Sequence, residues 1–68
     1  MVWILYRHKK GQPEVREYLC CGHERWRSGF PQAAEWLHIF YNENDMQEAA
    51  NEWSRTLGKD WAIPALKL

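Results

Sequence analysis

One amphipathic stripe constrains this chain more than any other feature. Met46, Ala49, Ala50, Trp53 and Leu57 recur at i, i+3, i+4, i+7 and i+11, a spacing that gathers apolar side chains on one face of a helix. Asn44 stands where an N-cap belongs, Gln47 three residues on completes a capping box, and Asp45 suits the positive helix end. Gly58 supplies the C-cap, with Arg55 and Lys59 near the negative end. The spacing predicts a helix over residues 45–57. Such a helix has one apolar face to bury, and the rest of the chain must supply the surface it buries against.

That remainder reads mostly as strands. Residues 2–8 (VWILYRH) and 14–21 (EVREYLCC) are rich in β-branched and aromatic side chains and flank a Gly/Pro cluster, which predicts a hairpin. Pro13 lacks the N–H that would close a two-residue turn at Gly11 and Gln12, so a longer loop is expected. A hairpin folded about Gly11 and Gln12 puts Val2, Ile4 and Tyr6 on one face with Val15, Leu19 and Cys21. Trp3 and Leu5 then share the other with Tyr18 and Cys20. Residues 22–31 (GHERWRSGFP) read as a loop. Residues 32–41 (QAAEWLHIFY) carry both helical spacing and strand alternation; the preferred reading is a helical entry followed by a strand over 36–41. Residues 60–68 read as a last strand, at an edge or ending near Pro64. The expectation is one α+β domain over residues 1–68. It has a small antiparallel sheet of three to four strands, in the order β-β-(β)-α-β, with the amphipathic helix packed on a face.

A 68-residue chain with five tryptophans among ten aromatic residues has more large rings than so small a core can hide. Some should lie at the surface, where Trp beside Arg is a typical interface anchor. The zero net charge hides an asymmetry. Residues 1–34 sum to +3 through Arg7, Lys9, Lys10, Arg16, Arg25 and Arg27 against Glu14, Glu17 and Glu24. Residues 35–68 sum to −3. A basic and an acidic region follow if the halves do not interleave. The adjacent Cys20 and Cys21 point to opposite faces of a strand and read as free thiols of a reducing cytosol. The apolar run near the start is too short to span a membrane. A soluble, monomeric, cytoplasmic protein is expected.

No pattern assigns a reaction. Cys20, Cys21 and His23 lack the Cys-x-x-Cys pairs of a structural zinc site, and a Cys21/His23 pair lacks an orienting third group. No metal, cofactor or catalytic residue is therefore expected, and the chain is read as non-enzymatic. Two candidate contact surfaces remain open. Arg25, Trp26, Arg27 and Phe30 combine stacking rings with bidentate donors in the loop, although Trp26 could equally plug the end of the core. Glu43, Asp45, Glu48 and Glu52 form an acidic helix edge able to imitate phosphates, or simply a solvated face. Glu48 and Glu52, at i and i+4, repel each other.

One pattern spans nearly the whole chain: the hairpin VWILYRHKKGQPEVREYLCCG, then RW, QAAEWLHIF, the capped NDMQEAANEWSRTLG and a closing DWAIPAL. It resembles the small anti-CRISPR proteins of phages and mobile elements, in particular those directed at type I-C systems. The resemblance implies an inhibitor in the host bacterial cytosol that binds a subunit of the Cascade surveillance complex and blocks target-DNA binding. It carries over no individual binding residue. The alternative is a small nucleic-acid-binding or regulatory protein that uses the basic hairpin and the Arg-Trp-Arg segment.

Overall fold

The first strand is the axis on which the molecule is built. The structure is a computed structural model and describes residues 1–21, 25–28 and 37–68. Its elements are β1 (Trp3–Lys9), β2 (Glu17–Cys20), β3 (Arg25–Ser28), α1 (Glu43–Leu57), β4 (Trp61–Ala62) and β5 (Ala65–Lys67). The sheet runs β3-β2-β1-β4, with β5 pairing the same side of β1 as β4, and every pairing is antiparallel. The expected α+β architecture, one helix on a small antiparallel sheet, is what forms.

The hairpin differs from its expected register. Tyr6 lies opposite Tyr18 and Arg7 opposite Glu17. Leu19 therefore joins Leu5, and Tyr18 joins Ile4 and Tyr6, the reverse of the pairing expected from a turn at Gly11 and Gln12. The cause is the loop. Residues 10–16 make successive turns, with Gln12 N–H bonding Lys9 O at 3.0 Å and Val15 N–H bonding Gln12 O at 3.1 Å. Gly11 takes a positive φ of 97°, which a side chain would resist. A slip of one residue exchanges the two faces of a strand.

Residues 25–28, expected as loop, form β3 and pair with β2 from Glu17↔Ser28 to Cys20↔Arg25. Turn signals on both sides hid a four-residue strand. The strand expected over 36–41 reduces, within the described residues, to two bridges, Cys20↔Leu37 and Trp3↔Phe40. Phe40 exchanges two bonds of 2.9 Å with Trp3, and His38 N–H bonds Leu19 O at 3.1 Å. This segment thus fastens β1 and β2 together near the start of β1.

The last strand is split by its proline. His8↔Ala62 and Leu5↔Ala65 keep one continuous register along β1, so Pro64 falls opposite Tyr6. Tyr6 N–H bonds Pro64 O at 3.2 Å, but proline has no N–H to return the bond. One missing donor makes two short strands of one.

Helix α1 starts two residues earlier than its capping pattern suggested. Asn42, not Asn44, is the N-cap, and its Oδ1 accepts from Asn44 N–H at 2.8 Å and Asp45 N–H at 3.3 Å. Gln47, freed from a capping role, bonds Asn51 at 3.3 Å. The earlier start places Glu43 as well as Asp45 in the first turn, at the positive end of the helix. Gly58 ends it at φ 88°, its N–H bonding Ser54 O at 3.0 Å.

Both faces of the sheet carry core. Toward the helix, Leu5, Leu19, Phe40 and Met46 are buried, with Trp3, Trp26, Ala49, Ala50, Trp53 and Ile63 packed around them. On the far side Ile4, Tyr18 and Leu37 are buried, with Tyr6, Ile39 and Leu66 against them. The helical stripe meets the odd-numbered residues of β1, as its periodicity requires.

Candidate functional site

The structure sorts the expected contact residues differently from their sequence grouping. Arg25 and Arg27 are exposed on β3, whereas Trp26 between them is half-buried and turned toward the helix. Its ring meets Trp53 edge-on at 5.3 Å between centroids. Trp26 therefore plugs the end of the core and does not project as a free anchor. The reason is alternation: in a strand, the neighbours of an inward ring point outward. Phe30 lies outside the described residues. Glu43, Asp45, Glu48 and Glu52 are all exposed on α1.

Beside Trp26 lies a cluster that sequence reasoning missed. Arg7 occupies an odd position of β1, on the helix side, where its guanidinium carbon sits 4.9 Å from the Trp26 ring centroid and 4.5 Å from that of Trp61. Its Nε donates to Glu17 Oε1 at 2.7 Å, the two side chains being only 19% and 29% exposed. Lys9 reaches the same Trp61 ring at 5.7 Å. A cation between two indoles gains from both ring quadrupoles, more so where water is partly excluded. Lys9, Gln12, Val15, Glu17 and Trp61 border an adjoining cleft of about 200 Å³. The available signal was an arginine following Trp3 and Leu5 at the same two-residue period.

On the far face a second cation lies on a ring. Arg16 sits 4.4 Å over Tyr6, and its side chain hydrogen-bonds Tyr18, which holds its guanidinium above the ordinary pKa. Tyr6 also neighbours Tyr18 at 5.8 Å and His8 at 6.3 Å. Across the strands, Tyr6 lies opposite Tyr18 and Tyr18 opposite Arg27.

The two charge halves interleave in the sheet, because β4 and β5 pair with β1. Charge nevertheless separates by element. The helix begins just after Phe40, which pairs with Trp3, and ends before Trp61, which pairs with Lys9. Glu43, Asp45 and Glu48 therefore lie in the half of the helix toward the start of β1, with Glu52 past the helix midpoint, while Lys9 and Lys10 mark the opposite end. None of the four carboxylates makes an ion pair among the described residues.

Among the described residues no group of three or more His, Cys, Asp or Glu side chains could hold a metal ion. Nor is any described helix long and apolar enough to cross a membrane. Cys20 is buried and Cys21 exposed, and neither is joined in a disulfide. No protein-family model matches the chain, and neither a curated protein nor a solved structure matches it.

Proposed function

We propose that this chain is a non-enzymatic inhibitory protein that works by occluding a surface on a protein partner, with the outward face of α1 as its contact. The supporting observation is the separation of charge. Asp45, Glu48 and Glu52 stand exposed and without ion pairs among the described residues, on the side of α1 away from the face that Met46 and Trp53 fix to the sheet; Glu43, in the first turn, is exposed on another side of the helix. A rigid helix presenting carboxylates complements a basic groove, and such complementarity sets encounter rate and partner choice. Trp26, being packed on Trp53, supports the fold and is not a contact.

The resemblance to anti-CRISPR proteins supplies a candidate partner, a subunit of a type I Cascade whose DNA path must be basic to hold phosphates. The reading is tested with purified type I-C Cascade and its target duplex in a mobility-shift assay. The chain should block DNA binding, and the Glu48→Lys/Glu52→Lys variant should need at least about tenfold more protein for the same block. Cascade that binds DNA equally well in the presence of the wild-type chain would sink the reading. Loss of inhibition with Arg25→Ala/Arg27→Ala but not with the helix variant would move the contact to β3.

A further inference from the structure

The closing stretch of chain is a sheet edge, and its proline does not guard it. Hydrogen bonds fix which of its residues face β1. Leu68 N–H bonds Val2 O at 2.8 Å, Tyr6 N–H bonds Pro64 O at 3.2 Å, and Lys10 N–H bonds Asp60 O at 2.9 Å. Even-numbered residues therefore turn their backbone groups inward, and the alternation of antiparallel pairing turns the odd ones outward. Trp3 obeys the same rule: it lies opposite Lys67 but exchanges its bonds with Phe40 on its other side. The N–H that Pro64 lacks would have faced β1. The N–H and C=O groups of Ile63, Ala65 and Lys67 point away from it, with no partner among the described residues. Trp61, the next odd residue, is already satisfied by Gly58 O at 3.4 Å. A proline blunts an edge only where its own N–H side faces out, so three consecutive outward donor–acceptor pairs stand open here.

We propose that this edge pairs with the same edge of a second copy, antiparallel about a two-fold axis through Ala65. In that register Ala65 meets Ala65, and Ile63 and Lys67 meet each other, so every outward donor of each copy finds an acceptor. The side chains agree with it. Ile63, Ala65 and Lys67 share the helix side, where each Lys67 falls opposite an isoleucine. An axis through Lys67 would instead set like charges against each other. An axis through Ile63 would leave Lys67 unpaired and oppose Ala65 to the already bonded Trp61. On the far side Leu66 meets Pro64, and Leu68, 54% exposed in the single chain, meets Ala62. A second copy is thus the occupant that this edge already matches, in place of the monomer expected from the sequence. The edge lies away from the outward face of α1, so pairing and the inhibitor reading stand or fall separately.

Sedimentation velocity over a range of about 5 to about 500 µM protein tests the proposal. Two short edges make a small interface, so a dissociation constant of about 10–100 µM is expected. The weight-average mass should climb from the 8.2 kDa of one chain towards twice that value. Ala65→Pro deletes the central outward donor without touching a bond to β1, and should weaken pairing about tenfold or more. Thermal unfolding of the dilute monomer should stay as in the wild type, because proline is tolerated where the N–H side faces solvent. A charge exchange keeps the test valid if that variant fails to fold, since Ala65 is exposed. Ala65→Lys and Ala65→Glu should each pair about threefold more weakly, like charges meeting across the axis. Mixed in equal amounts, the two should pair at least as tightly as the wild type. A chain that stays monomeric at about 500 µM overturns the proposal and leaves the edge to an extended segment of a different protein. A mixture no tighter than its separate variants, or wild-type pairing by Ala65→Pro, would overturn it too, because the copies would then meet through another surface.

Discussion

The two faces of the sheet use aromatic residues in opposite ways. On the helix side, Trp26 meets Trp53, and the Arg7 beside it is clamped between Trp26 and Trp61 with Glu17 closing one edge. On the far side, Tyr18 is buried, and Tyr6 beside it lies half-buried under a cation, Arg16, that stays in solvent. Indole rings with their large area pack where the helix covers them, while on the far side Tyr6, a ring with a polar end, is placed where water reaches and Tyr18 is buried beside it. Side chains of one chemical class thus divide by the face that strand alternation assigns them.

The largest test of this division is Trp26→Ala against Tyr6→Leu. Removing the half-buried indole strips a partner from both Trp53 and Arg7, and should cost about 3 kcal/mol in urea unfolding at an unchanged m-value. Tyr6→Leu keeps most of the apolar contact with Ile4 and Leu66 and should cost under about 1 kcal/mol. Equal costs would break the comparison, since the far face would then be core in the same sense as the helix face.

A smaller effect sharpens the account of the clamp. Arg7→Ala should cost about 1.5 kcal/mol, less than a fully desolvated cation–π and ion-pair site because the side chain is 19% exposed. A double-mutant cycle with Glu17→Gln separates the parts. The ion-pair component should shrink between 0.05 and 1 M salt, as the screening length falls from about 14 to about 3 Å, while the ring component persists. A cost that vanishes entirely at high salt would mean that the indoles contribute nothing.

How much of this was legible in the sequence depends on whether the cause was local. The helix stripe from Met46 to Leu57, the Gly58 cap and the proline break in the last strand are set by residues within a turn of one another, and all three appear. The hairpin faces were misread because register depends on how residues 10–16 turn, and a single residue there reverses Leu19 and Tyr18. The strand β3 was missed because a four-residue run between turn signals gives periodicity too little length, and its partner β2 decides it. Of the contact residues, the helix carboxylates could be placed because the helix could. Trp26 could not, since the ring that captures it, Trp53, lies far along the chain. The Arg7 clamp was invisible for the same reason: Trp26 and Trp61 come to it from two other strands.

The smallest effect concerns two adjacent thiols that divide as the faces do. Cys20 is 2% exposed, and the Leu37 bridge lies beside it, whereas Cys21 is exposed and donates to Leu37 O at 3.4 Å. Burial pushes the Cys20 thiol above its ordinary value of 9.0, a shift that nearby Arg27 opposes and Cys21 reinforces. A raised thiol stays neutral, so its stability contribution is constant below the unfolded-state value and is lost as pH rises through the folded one. Only the thiolate alkylates, so iodoacetamide at pH 7.5 should add one group per folded molecule, at Cys21, with Cys20 following slowly and faster as pH increases. Peptide mass mapping reads this directly. Equal labelling of both cysteines at pH 7.5 would mean that the bridge at Leu37 opens readily, and that the far face near Cys20 is held far more loosely than the helix side.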